Sequence, residues 1–122
     1  MNRWLFAGAV NGFLAVAAGA FGAHALQGRI DAGMTAIFET GAHYHLIHAL
    51  ATVAAALAAH HIPGKSPALS AALFTAGTLL FSGSLYFLAL TGSYALVLVT
   101  PLGGLAFLAG WVALAFGALK RE

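Results

Sequence analysis

The sequence predicts an all-α membrane protein, a bundle of four transmembrane helices with both termini on the same side. Of its 122 residues, 61% are hydrophobic and 7% are charged, whereas soluble domains carry about 25% charged residues. No Asp, Glu, Lys or Arg occurs over residues 66–119, which is long enough for two spans of about 20 residues each. The formal net charge of +2 provides no basic face for nucleic acid. The absence of cysteine excludes disulfides and thiolate metal sites.

Residues 4–26 form the first predicted span. This apolar run is longer than the core of a secretory signal, which has about 7 to 15 residues, so we expect it to remain in the protein. Small residues spaced three or four apart share one helical face, and such a face lets another helix approach closely in lipid. They are Gly8, Gly12, Ala15, Gly19 and Ala23.

Residues 40–61 form the second predicted span. The preceding residues 31–38 have Asp31 as a predicted N-cap and apolar residues at helical spacing. They form either a short amphipathic helix at the membrane surface or the first turns of the span itself. The sequence leaves both arrangements open.

The third and fourth spans are predicted at residues 67–90 and 95–119. Thr100 and Pro101 are typical of a helix start, so residues 94–99 are either the first turns of a kinked helix or an irregular segment. Each span has small residues every seven positions, which predicts two further close-packing faces. They are Ser70, Gly77, Ser84 and Thr91 in the third span, and Gly103, Gly110 and Gly117 in the fourth.

The basic residues predict the orientation of these four spans. Arg3, Lys65, Lys120 and Arg121 would lie on one side of the membrane, and Arg29 alone on the other. Because cytoplasmic loops carry an excess of Lys and Arg, we expect both termini in the cytoplasm.

Four short motifs occur in order along the chain. They are Gly19-Ala-Phe-Gly-Ala-His-Ala-Leu26, Tyr44 with His48-Ala-Leu-Ala51, Phe81-Ser-Gly-Ser-Leu-Tyr86, and Thr100-Pro-Leu-Gly-Gly104 followed by Gly110-Trp111. Together they resemble the domain of unknown function 423 family, small membrane proteins similar to transmembrane protein 256. The resemblance implies a four-helix protein of the bacterial inner membrane and implies no activity. His43 and His45 fall outside these motifs, where the family usually carries other residues.

Residues 39–48 concentrate the polarity of the chain. At 100° per residue, Glu39 lies within about 40° of His43 on a helical wheel, and Tyr44 lies equally close to His48. His24, near the outer end of the first helix, is expected to approach this region. Intramembrane ionisable groups are candidates for function. The predicted ligand-binding residues are His24, Glu39, Tyr44, His48, Ser84 and Tyr86.

Two chemical interpretations apply to these side chains. His24 and His48 on facing helices could ligate a transition metal or the iron of a b-type haem, or relay protons with a carboxylate. Alternatively, neutral His and Tyr side chains form hydrogen bonds between helices and fix their packing. We favour the second interpretation and expect no cofactor, because no third ligand stands at metal spacing.

The favoured functional hypothesis is a non-enzymatic structural, assembly or lipid-like-ligand-binding component. Its expected partners are membrane lipids and a homo-oligomer or larger membrane complex, because three close-packing faces exceed the evident need of one small bundle. The alternatives are a His-based metal or haem redox role near the outer face, and an oligomeric transporter or channel for small solutes. The sequence has no phosphate loop, nucleophile elbow or zinc-protease motif.

Overall fold

The computed structural model describes residues 2–120, which form long helices joined by short turns. The helices are α1 (Arg3–His24), α2 (Ala32–Ala58), α3 (Ser66–Thr91) and α4 (Val99–Leu119). Of these, α1, α3 and α4 are long and apolar enough to cross a membrane. The α2 helix has 27 residues, but Glu39 and its three histidines make it less apolar. Arg121, used above to predict the orientation, lies outside the described residues.

The α2 helix begins at its predicted N-cap and continues without interruption. The Asp31 carboxylate accepts a hydrogen bond from the backbone N–H of Gly33 at 2.8 Å, which confirms the cap. No helix break follows at Glu39 or Thr40, since neither residue removes a backbone donor. Residues 31–38 therefore do not form a separate interfacial helix but are the first turns of α2.

The ends of α1 and α4 differ slightly from the predicted bounds. The α1 helix ends at His24, two residues before the predicted end. Residues 95–98 form a turn, and α4 begins at Val99, four residues after the predicted start. Pro101 lies in the first turn of α4, where its missing N–H costs no intrahelical bond, so it does not kink the helix.

The α3 helix contains one π-helical segment, Thr78–Ser82, which the sequence did not predict. A π turn inserts an extra residue into the α-helical repeat and is often found at functional sites. Here the Ser82 hydroxyl donates to the backbone carbonyl of Gly41 on α2 at 2.7 Å. The backbone of Phe81 lies directly against Gly103 of α4.

The small-residue faces of α3 and α4 are used inside the chain, and the face of α1 is used in part. A Cβ atom at Gly110 would lie 2.6 Å from the Phe74 ring, and one at Gly117 would lie 2.9 Å from Cβ of Ser66. On α1, a Cβ at Gly8 would lie 2.7 Å from the Val53 side chain, whereas Gly19 faces open space. The predicted faces of α3 and α4 thus bring these helices together, whereas the α1 face is used only in part, since Gly12 and Gly19 meet nothing within 4 Å.

The helices alternate in direction. Asn2 lies beside His60, with the two side-chain nitrogens 3.5 Å apart, and Gly117 packs against Ser66. One end of the molecule therefore holds the starts of α1 and α3 together with the ends of α2 and α4. At the other end, Leu26 packs with Phe38 and Ala89.

The approach of α3 to α4 predicts the effect of one added methyl group. A Cβ at Gly103 would overlap the backbone of Phe81, which cannot move aside as a side chain can. We expect Gly103→Ala to lower the free energy of unfolding by about 1 to 3 kcal/mol, the usual cost of overpacking. Gly83→Ala is the matched control, because its Cβ would meet nothing within 4 Å; it should be neutral or stabilising by up to about 1 kcal/mol. Unfolding in mixed detergent micelles, followed by circular dichroism, measures both, and equal stabilities would contradict this packing.

Candidate functional site

The polar residues of α2 lie in two hydrogen-bonded clusters and in one pocket near the start of the helix. His45 and His48 are buried, with 6% and 4% of their surface exposed. Both ring nitrogens of each histidine have hydrogen-bond partners. These partners determine which ring nitrogen carries the proton in each histidine.

His48 links α2 to α4. Its Nδ1 atom lies 2.8 Å from the backbone carbonyl of Tyr44, and its Nε2 atom accepts from the indole Nε1 of Trp111 at 3.1 Å. Because an indole N–H can only donate, Nε2 must carry the lone pair and Nδ1 the proton. The Phe107 ring stacks on the imidazole with centroids 3.6 Å apart. His48 is therefore a neutral group with a fixed tautomer.

His45 links α2 to α1 and α3. Its Nδ1 lies 2.9 Å from the Tyr86 hydroxyl, and its Nε2 lies 3.2 Å from Oδ1 of Asn11. The amide nitrogen of Asn11 donates to the carbonyl of Ala7, so Oδ1 is the acceptor for His45. His45 thus carries its proton on Nε2 and accepts from Tyr86, the opposite tautomer to His48.

Sequence reasoning missed this second cluster. It set His45 aside as a position outside the family motifs and did not consider Asn11. The available signal was Asn11 itself, a polar amide in the middle of an otherwise apolar span, since such residues almost always face another helix.

A groove of about 570 Å³ lies between α2, the π segment of α3 and α4. Leu105 and Leu108 at its edge are 62% and 63% exposed, so the groove opens on the apolar outer surface. Its walls are mostly aromatic. The residues that shape it are Tyr44, His48, Phe81, Gly104, Phe107 and Trp111.

Gly104 and the π segment account for the space in this groove. The π segment places Phe81 with its ring centroid 4.9 Å from that of Tyr44 and 5.5 Å from that of Phe107. A Cβ at Gly104 would meet only the edge of the Phe81 ring, at 4.0 Å. A larger residue at this position would project into the groove and fill it.

A smaller pocket of about 480 Å³ adjoins the groove at the start of α2. Glu39, Thr40, His43 and Tyr44 line it, so Tyr44 belongs to both spaces. The Glu39 carboxylate accepts from the side-chain amide of Gln27 at 3.4 Å. Of the predicted site residues, the structure thus places Tyr44 with His48 in the groove and Glu39 in the adjoining pocket.

Ser84 and Tyr86 lie outside the groove. The Ser84 hydroxyl donates to the backbone carbonyl of Phe81 or to the hydroxyl of Thr100 on α4. The Tyr86 hydroxyl bonds to His45, and its ring packs on Phe38. Both side chains join helices together in this structure and do not face the groove.

The structure does not bring His24 to His48. Gly22 of α1 packs against Phe38 of α2, and His24 lies beyond that level, exposed at the end of α1. His48 is ten residues further along α2, about 15 Å at 1.5 Å per residue. The predicted approach of the two imidazoles is therefore corrected, because antiparallel packing places them at different depths. Among residues 2–120 there is no group of three or more His, Asp or Glu side chains that could hold a metal ion.

Comparison with known proteins identifies the family. A family model described as "Protein of unknown function (DUF423)" matches residues 18–104. The chain belongs to this family. The DUF423 chain is similar to a UPF0382 membrane protein of Haemophilus influenzae, with 43% identity over 99% of this chain and 97% of the relative.

Other relatives show the same full-length similarity. The UPF0382 membrane protein YwdK of Bacillus subtilis is 41% identical over 98% of each chain. The UPF0382 inner membrane protein YgdD of Escherichia coli K12 is 40% identical over 93% of this chain and 87% of its own. No solved structure matches the chain. These relatives confirm the predicted family and the membrane class, and their names specify no activity.

The hydrogen bonds predict opposite tautomers for the two buried histidines of this DUF423 protein. Nitrogen-15 NMR of the histidine-labelled protein in lipid should show His48 protonated at Nδ1 and His45 protonated at Nε2. Trp111→Phe should change the His48 Nε2 signal, because it removes the indole donor, and leave the His45 signals in place. Tyr86→Phe should have the reverse effect. Identical tautomers for the two rings would contradict the assigned hydrogen bonds.

Proposed function

We propose that this DUF423 protein is a non-catalytic membrane protein that holds one lipid-like chain in the groove between α2 and α4. The observation that carries the proposal is the groove itself, an aromatic-walled space of about 570 Å³ that opens on an apolar face. Small-molecule sites are typically apolar clefts of about 300 to 1,000 Å³ with a few polar groups. Here Tyr44 is a polar residue in the lining, and the adjoining pocket adds Glu39, Thr40 and His43.

The proposal includes a membrane arrangement with α2 as a fourth span. At 27 residues, α2 is about 40 Å long, more than the hydrocarbon core of about 30 Å. It packs along α1 from Phe38 on Gly22 to Val53 on Gly8. Its buried histidines are hydrogen-bonded, which removes the main cost of placing them in lipid.

The proposed orientation follows from the charges at the two ends. Arg3, Lys65 and Lys120 lie at the end that holds the chain termini, and Arg29 lies at the other. The excess of basic residues favours the cytoplasm for the first end. We therefore place both termini inside the cell.

The arrangement predicts which positions are accessible from outside the cell. The chain has no cysteine, so a maleimide would react only with the single cysteine that is introduced. Gln27→Cys and Tyr94→Cys should react with a membrane-impermeant maleimide in intact cells. His61→Cys should react only after the membrane is permeabilised, because α2 crosses between positions 27 and 61. Reaction of Gln27→Cys and His61→Cys from the same side would contradict a spanning α2.

The length of the groove favours a chain from one leaflet. It extends along α4 from Pro101 to Trp111, ten residues or about 15 Å, which is half of a hydrocarbon core of about 30 Å. Trp111, which donates to His48, lies at its deep end. Its open end lies toward the Arg29 side of the molecule, so the chain would enter from the outer leaflet.

The side chains in and beside the groove support binding without catalysis. Both nitrogens of His48 are engaged, and the hydroxyl of Ser84 is bonded to α4. The small-residue faces of α3 and α4 pack mostly within the chain, although Gly12 and Gly19 on α1 meet nothing, and the groove is the more specific feature of the surface. A lipid-like ligand therefore suits this structure better than an assembly role based on those faces.

Filling the groove should weaken chain binding. In lipid nanodiscs that contain a phospholipid with a photoreactive acyl chain, we expect labelling concentrated on the groove residues, Leu105 and Leu108 included. Gly104→Trp should reduce that labelling by about tenfold, which corresponds to about 1.4 kcal/mol. Mass spectrometry of the digested protein measures the labelled positions.

The matched control is Gly19→Trp, which adds the same side chain to α1 at a position with open space around it. It should leave the labelling of α4 unchanged. Labelling spread evenly over the exposed faces of all helices, and unaffected by Gly104→Trp, would overturn the proposed function.

A further inference from the structure

A further cavity, of about 820 Å³, lies at the opposite end of the molecule from the opening of the groove. Asn2, Arg3 and Trp4 at the start of α1 line it, together with His60 after the end of α2. The groove proposed above does not involve any of these residues. This cavity is called the basal pocket below.

The basal pocket presents hydrogen-bond donors. The Asn2 side-chain oxygen is engaged by the backbone N–H of Leu5 at 3.0 Å, so its amide nitrogen faces His60 at 3.5 Å. If the amide donates to His60 Nε2, the remaining ring nitrogen of His60 is a donor. The exposed guanidinium of Arg3 adds the forked set of donors that matches the oxygens of a phosphate group.

The charge distribution around the basal pocket favours an anion. Lys65 and Lys120 lie at the same end of the molecule, whereas the acidic residues among positions 2–120, Asp31 and Glu39, lie near the start of α2 at the other end. An anion in the pocket therefore meets positive charge and no nearby described carboxylate.

The apolar surface next to the basal pocket fits a lipid. Trp4 is the type of residue enriched where a helix enters the membrane. Phe6 and Val10 lie one and two turns after Arg3, on the same face of α1 as Arg3, and are 70% and 41% exposed. Acyl chains attached to a phosphate in the pocket would lie along this face of α1.

We propose that the basal pocket binds the phosphate of an anionic phospholipid headgroup, from the leaflet opposite to the one that supplies the groove. Arg3 and His60 contact the phosphate oxygens, and the indole of Trp4 packs beside the glycerol. The site is independent of the proposed function, since it uses other residues at the other end of the helices.

Native mass spectrometry of the full chain tests this proposal. The protein is released from detergent with equal amounts of phosphatidylglycerol and phosphatidylcholine, and the retained lipids are counted. We expect phosphatidylglycerol to be retained in preference, and Arg3→Gln to lower that preference by about tenfold, equal to about 1.4 kcal/mol. His60→Ala should lower it in the same direction.

Lys65→Gln is the matched control, because it removes one positive charge from the same end without lining the pocket. It should leave the lipid preference within about twofold of the unmodified protein, a difference of about 0.4 kcal/mol. Arg3, Lys65 and His60 are exposed, so circular dichroism should show all three variants folded.

Equal losses for Arg3→Gln and Lys65→Gln would overturn the proposal, because they would indicate general attraction to a basic surface. Displacement of the lipid by millimolar inorganic phosphate would overturn the lipid source.

Discussion

The structure depends on the hydrogen bonds that satisfy the polar side chains of α2. Hydrocarbon contains no water to replace a missing partner, so a polar group in a span must bond within the protein. His45 has Asn11 of α1 on one side and Tyr86 of α3 on the other. His48 receives the indole N–H of Trp111 from α4. These bonds allow the least apolar helix to lie among the other three, and they tie each neighbour to it.

Small residues let the helices approach closely enough for those hydrogen bonds to form. The close approach at Gly41 brings α3 near enough for Ser82 to bond the α2 backbone and for the Tyr86 ring to pack against it. At Gly103 the α4 backbone touches the π segment of α3, but the next residue, Gly104, faces space that no side chain fills. The packing that joins α3 to α4 therefore also leaves the groove. The close contacts at these glycines therefore explain both the tight packing of the helices and the groove that opens toward lipid.

Features set by local sequence were predictable, and features set by the register between helices were not. The Asp31 cap and the close-packing faces of α3 and α4 depend on residues near each other in sequence, and the structure contains both. The π segment and the bond from His45 to Tyr86 depend on how residues 41 positions apart align. The predicted approach of His24 to His48 failed for the same reason, since a helical wheel gives the face of a residue but not its depth against another helix.

The most direct test of the central claim is a double-mutant cycle on His45 and Tyr86. His45→Leu, Tyr86→Phe and the double variant are unfolded in mixed micelles, and the coupling free energy is calculated from the three changes. If the bond between these side chains holds α2 to α3, the coupling should be favourable by about 0.6 kcal/mol, and up to about 1.7 kcal/mol. Strictly additive changes would contradict the account, because they would show that the two side chains stabilise the protein independently.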